Sequence, residues 1–195
     1  DAEHAARGVP TGLLDQLASL FGVAGHALLI DTATNAATPV ALPPTSDVEI
    51  AVVPGSPRQL AAVGYAARVE ECRRAEAEVG PLRAASLADV AGLTDPVLRR
   101  RARHVVTENA RVHDCAAALA EGRVADAGHL MDLSHRSLSE DYESSTREID
   151  ERCAALRRQP GVLGARIPGG GGGGCLVALA RPGALGAGGW VVRAV

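Results

Sequence analysis

The chain has 195 residues, of which 47% are hydrophobic and 22% charged, a globular composition with enough length for a substantial core. Its 20 basic and 23 acidic residues give a net charge of -3, and only 2% of residues are aromatic, which argues against nucleic acid as a partner. Every basic residue is an arginine, and the lack of lysine excludes Walker-A phosphate loops and lysine Schiff-base enzymes.

The cysteines and the N-terminal residues indicate a cellular compartment. The four cysteines lie far apart without a CxxC pair, which predicts free thiols in a reducing cytoplasm. The sequence contains no uncharged apolar stretch of membrane-spanning length, and it begins with acidic residues where a signal peptide is basic. We therefore expect a soluble, cytoplasmic protein without a membrane partner. Because the chain starts without methionine, we also expect a fragment of a longer protein.

Residues 1–55 predict one helix followed by strands. The helix has Thr11 as its N-cap and ends at Gly22. Its apolar face consists of Leu13, Leu14, Leu17 and Leu20. The runs HALLIDTA, TPVALP and VEIAVVP then predict three neighbouring strands joined by turns, and Pro54, Gly55 and Pro57 interrupt the pattern.

The rest of the chain is mainly helical. Apolar residues between 97 and 120 recur in steps of three and four, which predicts a long helix with one buried face. Further helices are predicted near 58–79, 123–138 and 146–158. The last segments, GVLGARIP, CLVALA and GWVVRAV, predict strands around a glycine loop. Helices bracketed by strands indicate an α+β fold.

The segment GVPTGLLDQLAS at 8–19 places a glycine and a carboxylate at the start of the first helix. Gly12 lets a ligand approach the backbone closely. Asp15 lies in the first helical turn, where unpaired N–H groups and the helix dipole favour an ionised carboxylate. Such a group can orient a sugar hydroxyl and accept its proton in a kinase. The alternative, an acidic residue that merely favours a helix start, stays open.

Two other segments are candidates for binding. In YAARVEEC, Tyr65, Arg68 and Glu71 share one helix face, so Tyr65 can contact a sugar, although an amphipathic helix with an ion pair has the same spacing. In ARIPGGGGGGC at 165–175, consecutive glycine N–H groups can bind a phosphate. The alternative for the glycines is a flexible, low-complexity turn.

In order along the chain, these segments resemble the galactokinase branch of the GHMP family of small-molecule kinases. The matching segments are AEH at 2–4, GVPTGLLDQLAS at 8–19, GHALLIDTAT at 25–34, YAARVEEC at 65–72, RRARHVVTENARV at 100–112, LMDLSHRSLSEDYESSTREID at 130–150 and PGVLGARIPGGGGGGC at 160–175. The resemblance implies a GHMP-kinase-like α+β fold. Residues 1–55 would be the remnant of the N-terminal domain that carries the catalytic aspartate, and residues 56–195 would form the C-terminal domain.

The resemblance also implies a role for each matching residue. Asp15 matches the catalytic carboxylate, Gly12 matches a glycine whose backbone meets the sugar, and Tyr65 matches a tyrosine of the sugar pocket. The loop from Gly169 to Gly174 matches the third family motif near the nucleotide, with Gly169, Gly171 and Gly173 as cofactor-binding candidates. ATP and Mg²⁺ are the implied cofactors and galactose and ATP the implied partners, whereas no metal ligand is assigned in this chain. The segments HVVTEN and SHRSL match structural parts of the C-terminal domain.

The sequence departs from the family pattern in three places, one of which is the stretch from Arg181 to Gly189, too short and too rich in glycine for the helix expected between the last strands. The N-terminal sugar motif and the glycine-serine loop that holds the ATP phosphates and Mg²⁺ are absent, so most cofactor ligands are missing. In the third motif, Pro168, Gly170 and Gly172 stand where threonine, alanine and phenylalanine are usual, which predicts a looser loop.

We therefore expect part of an enzyme that transfers the γ-phosphate of ATP to the anomeric hydroxyl of galactose. By itself, this chain is expected to be inactive. Two alternatives stay open: a GHMP kinase for another sugar, and a non-catalytic sugar-binding or regulatory relative, including the product of a broken gene. The oligomeric state is not specified by the sequence.

Overall fold

A computed structural model describes residues 13–55, 64–169, 171, 174–186 and 189–192. The helices in the described part are α1 (Leu14–Phe21), α2 (Tyr65–Val79), α3 (Leu87–Gly92), α4 (Pro96–Ala120), α5 (Val124–Glu140) and α6 (Arg147–Arg157). The strands are β1 (His26–Asp31), β2 (Ala36–Ala41), β3 (Glu49–Val53), β4 (Val162–Arg166), β5 (Leu176–Ala180) and β6 (Trp190–Val192). This mixture of helices and antiparallel sheets confirms the predicted α+β class. None of the described helices is both long and apolar enough to cross a membrane.

The strands form two separate sheets. Strands β1 and β2 make an antiparallel hairpin, from the pair His26 and Ala41 to the pair Asp31 and Ala36. The second sheet has the order β4-β5-β3-β6, and all its neighbours are antiparallel. The expectation that the first three strands are neighbours is therefore wrong for β3. This strand is apolar on both faces, and the second sheet covers both of its edges with β5 and β6.

The position of β3 bears on the predicted domain boundary. The division after residue 55 stays a prediction, but β3, on its N-terminal side, pairs with strands on its C-terminal side. Glu49 pairs with Ala180, and Ile50 with Val192. The second sheet therefore needs residues from both sides of the boundary.

Helix α1 is shorter than the sequence predicted. Its N-cap is Leu13, without a side-chain cap, so the predicted cap at Thr11 is wrong. Leu17 is buried, whereas Leu14 and Leu20 are 56% and 76% exposed. Of the four leucines on the predicted apolar face, only Leu17 is buried by the described residues.

The other helices agree more closely with the prediction. Helix α4 starts after Asp95, whose carboxylate accepts hydrogen bonds from the Val97 and Leu98 N–H groups. Helices α5 and α6 lie within two residues of their predicted bounds. The predicted helix at 58–79 is described from Tyr65 onward, and residues 58–63 lie outside the described residues. Helix α3 was not predicted, although Ser86 and Asp89 form a capping box at its start.

Three buried clusters hold these elements together. One packs α5 and α6 against the second sheet and includes Ile149, Cys153 and Leu176. A second joins α2, α3 and α4, and a third joins β3 and β5 to α4 and α5. All four cysteines are free thiols, as predicted.

Candidate active site

Asp15 lies in the first turn of α1, and its side chain is exposed. The carboxylate therefore stands where a substrate can reach it. Gly12 lies outside the described residues, and its backbone contact with a sugar stays a prediction.

Tyr65 is the first residue of α2, and it follows Gly64, whose φ of 61° is left-handed. The structure describes the Tyr65 backbone but not its side chain, so its place in a sugar pocket also stays a prediction. One turn along, Arg68 Nη1 lies 2.9 Å from Glu71 Oε2. The ion pair expected for an amphipathic helix is thus present just after Tyr65.

This ion pair belongs to a larger set of charges around Glu143. We call the set the Glu143 cluster; it consists of Arg68, Glu71, Arg100, Arg101 and Glu143. Arg101 is only 1% exposed and lies 2.6 Å from the Glu71 carboxylate and 2.7 Å from that of Glu143. Its third nitrogen, Nη1, donates to the Asp141 carbonyl. Arg100 and Arg68 also approach Glu143, at 2.7 and 3.4 Å.

The Glu143 cluster connects three parts of the chain. It joins the first turns of α2 to α4 and to the segment that follows α5. Glu143 itself has a φ of 53°, a left-handed conformation that costs free energy in a residue other than glycine. The three arginines compensate this cost, because each of them holds the same carboxylate in place.

Sequence reasoning missed the buried role of Arg101. Arginines usually cover a solvated helix face, and the RRRAR run looks like such a face. Arg101 nevertheless follows the buried Leu98 by three residues, which places it on the apolar side of α4. That spacing is the signal by which this residue could have been found.

The glycine loop rests on the segment held by this cluster. Gly171 is buried with a φ of 83°, and a Cβ on it would lie 1.8 Å from the carbonyl oxygen of Ser144. Ser144 directly follows Glu143. Gly169 is exposed, while Gly170, Gly172 and Gly173 lie outside the described residues. The nucleotide contacts of Gly169, Gly171 and Gly173 stay predictions, but the geometry explains why position 171 requires glycine.

The segments HVVTEN and SHRSL each contain a buried histidine with a polar partner. His104 Nδ1 lies 3.0 Å from the Ser137 hydroxyl, and the His104 ring packs on Tyr142 with centroids 4.5 Å apart. Burial lowers the pKa of His104 to about 4. His135 Nε2 lies 3.1 Å from Asp150, and burial together with Arg157 lowers the pKa of His135. Both rings are therefore neutral near pH 7.

The described residues were also tested as a metal site. No group of three or more histidine, cysteine, aspartate or glutamate residues in the described part of the chain is arranged to hold a metal ion. Mg²⁺ requires oxygen ligands in near-octahedral geometry. The described residues do not supply such a set.

The class of protein follows from comparison with known families. Residues 115–187 match the family described as GHMP kinases C terminal. This part of the chain is therefore similar to the C-terminal domain of GHMP kinases. It contains the end of α4, all of α5 and α6, and the strands β4 and β5 that enclose the glycine loop.

The most similar curated proteins found are galactokinases. The chain is 45% identical to the galactokinase of Mycobacterium tuberculosis over 185 residues, which is 91% of this chain and 51% of the relative. It is 41% identical to the galactokinase of Homo sapiens over 186 residues, covering 91% of this chain and 47% of that protein. The chain thus spans about half the length of the curated relatives it matches.

Solved structures give the same result. The crystal structure of Lactococcus lactis galactokinase complexed with galactose matches with a TM-score of 0.82 and 33% identity, over 92% of this chain and 49% of that one. The L. major mevalonate kinase in complex with R-mevalonate matches with a TM-score of 0.55 and 20% identity over 86% of this chain and 47% of that one, which supports the fold alone.

Proposed function

We propose that this chain supplies part of a galactokinase, which transfers the γ-phosphate of ATP to the anomeric hydroxyl of galactose. The observation that carries the proposal is the similarity, at a TM-score of 0.82 over 92% of this chain, to a galactokinase crystallised with galactose. The exposed carboxylate at the start of α1 and the C-terminal GHMP domain also support it.

Asp15 is the proposed catalytic residue. Its carboxylate orients the anomeric hydroxyl and accepts the hydroxyl proton as the oxygen attacks the γ-phosphorus, and ADP leaves with the electron pair of the broken P–O bond. Because Asp15 is exposed in the first turn of α1, its carboxylate is accessible before the sugar binds.

The Glu143 cluster would position the sugar side of this site. Arg68 lies three residues after Tyr65, and its ion pairs to Glu71 and Glu143 hold the start of α2 against the segment beneath the glycine loop. In this proposal the cluster fixes the position of the Tyr65 backbone at the edge of the sugar pocket. It makes no contact with the reacting atoms.

A chimera tests the proposal. The N-terminal half of the Mycobacterium tuberculosis galactokinase, joined to this chain in place of its own matching half, should form galactose 1-phosphate from ATP and galactose. Other hexoses assayed alongside test the alternative of a different sugar. A chimera that melts cooperatively but phosphorylates no hexose, while the parent enzyme is active, would contradict the proposal and favour a non-catalytic relative.

A further inference from the structure

A cleft of about 170 Å³ lies outside the proposed active site. Its walls come from the β1–β2 hairpin, α4, α5 and β4. Most of the lining is aliphatic, including Leu28, Val40, Leu119 and Met131. One end is polar, and it is formed by Glu108, Arg111, Ser134 and Arg166. None of these residues has a role in the phosphoryl transfer proposed above.

The polar end carries an excess of positive charge. The Glu108 carboxylate accepts hydrogen bonds from the Ser134 hydroxyl, from Arg111 Nε at 2.8 Å and from Arg166 Nη1 at 3.2 Å. The side chains of Arg111 and Arg166 are only 16% and 27% exposed. Two guanidinium groups therefore share one carboxylate in a partly buried cleft, where a charge is screened less than at the surface.

Each arginine also keeps an unused donor. Arg111 Nη2 donates to the Thr107 hydroxyl at 2.9 Å, and Arg166 Nε donates to the Ile167 carbonyl at 2.9 Å. Within the described residues, Arg111 Nη1 and Arg166 Nη2 have no hydrogen-bond acceptor. Two donors on neighbouring guanidinium groups match the two oxygens of one carboxylate.

We propose that this cleft binds a small aliphatic carboxylate. Its single negative charge would balance the excess positive charge of the arginine pair, and its alkyl chain would lie along the aliphatic walls. One water needs only about 10–15 Å³ of such space, so a cleft of about 170 Å³ has room for a short alkyl chain. Pentanoate has the right chemistry and about the right size. A phosphate or a sulfate would match the charge but would leave the aliphatic walls uncovered.

Calorimetric titration of the 195-residue chain with pentanoate tests the site. We expect saturable binding, and we expect that 1-pentanol, which has the alkyl chain without the charge, and sulfate, which has charge without the chain, bind about tenfold more weakly or not at all. Arg111→Gln should weaken pentanoate binding by about tenfold, while Arg136→Gln on the exposed face of α5 should leave it unchanged.

A second pair of variants keeps both arginines. Ala116 lines the cleft, whereas Ala117 is exposed on the other side of α4. Ala116→Leu should fill the cleft and abolish binding, and Ala117→Leu should not change it. Pentanoate should also slow iodoacetamide labelling of Cys115, which lines the cleft, without slowing that of Cys72. No saturable binding at tens of millimolar, equal binding of 1-pentanol, or unchanged binding by Ala116→Leu would each overturn the proposal.

Discussion

At Gly171, two separate constraints meet in one residue. Its φ of 83° is left-handed, and a Cβ would lie 1.8 Å from the Ser144 carbonyl oxygen. Gly183 has a similar φ of 75°, but among the described residues no heavy atom other than those of its chain neighbours lies within 4 Å of its Cβ position. Comparing substitutions at Gly171 and Gly183 therefore distinguishes the cost of backbone strain from the cost of steric overlap.

We expect Gly171→Ala to destabilise the fold by about 3 kcal/mol, and Gly183→Ala by about 1 kcal/mol, because only the first adds a backbone clash to the left-handed strain. Urea unfolding of the two variants and the unsubstituted chain measures both values. Equal losses would mean that Ser144 moves aside without cost and that the glycine loop is not fixed at this point.

Asp15 is the residue on which the proposed chemistry depends. In the chimera, Asp15→Asn should lower the turnover number by about 100-fold or more, the scale of general-base catalysis, because it removes the charge and the proton acceptor. Since Asp15 is exposed, the melting temperature should hardly change. Asp114→Asn, at another exposed position, is the matched control. Near-normal turnover of a folded Asp15→Asn chimera would remove Asp15 from the mechanism.

The sequence predicted a first-turn position for Asp15, whereas its catalytic role stays a prediction. A carboxylate in the first turn of an apolar helix is a local pattern, and the structure places Asp15 in such a turn. The Glu143 cluster, by contrast, brings together residues that lie far apart in the sequence. The spacing from Leu98 does mark Arg101 as lying on the apolar side of α4, but the partners of its ion pairs depend on tertiary contact that no local pattern reports.

His104 lies on α4, is buried against α5 and should make the stability of the fold depend on pH. Burial lowers the pKa of His104 from 6.5 to about 4; Glu108 and Asp141 oppose this shift, and Arg111 and Arg166 add to it. In the unfolded chain the histidine binds a proton near pH 6.5. The unfolded state therefore gains protons first, and stability falls as pH drops from about 6.5 towards 4.

With the pKa of His104 lowered from 6.5 to about 4, the free energy of unfolding should fall by about 3 kcal/mol between neutral pH and about pH 4. Urea unfolding between pH 7 and pH 4 measures it. His104→Gln should flatten the loss over this window, since glutamine does not titrate. His129→Gln, at an exposed position of α5, should leave the pH dependence as it is. An unchanged slope in His104→Gln would show that other groups cause the acid loss.

The Glu143 cluster stabilises the junction of α2, α4 and the segment after α5. Glu143→Gln should cost about 2 kcal/mol, because the buried Arg101 loses one of its two carboxylates while Glu71 remains. Glu140→Gln, at an exposed position near the end of α5, is the control and should cost little. Urea unfolding compares them, and similar small losses in both would show that Glu143 is not needed for the junction.

Local patterns were sufficient for most elements. Periodicity identified α4, α5 and α6, and short apolar runs between turn residues identified the strands of the described part. Helix α3 was missed although Ser86 and Asp89 have the spacing of a capping box. The partners of β3 could not be predicted, because a two-residue alternation gives the buried face of a strand but not its neighbours.

At the scale of the whole molecule, the chain spans about half the length of the galactokinases it matches. A phosphoryl-transfer site needs groups that bind the phosphates and ligands for a metal in addition to a base. The sequence contains no lysine, and the described residues form no metal-binding group. We expect the purified 195-residue chain to produce no galactose 1-phosphate above background. The active chimera is the positive control, and turnover by the chain alone that disappears in Asp15→Asn would contradict this prediction.

The central position of β3 has a consequence for how the polypeptide folds. β3 is synthesised early and both of its partners late, since Glu49 pairs with Ala180 and Ile50 pairs with Val192. Closing so long a loop costs entropy before any pairing repays it, so this step is slow compared with forming helices. During synthesis, α4 to α6 can pack before β5 and β6 exist, so the apolar β3 has no strand partner at that stage. During that interval β3 is the segment of the nascent chain most in need of protection from aggregation.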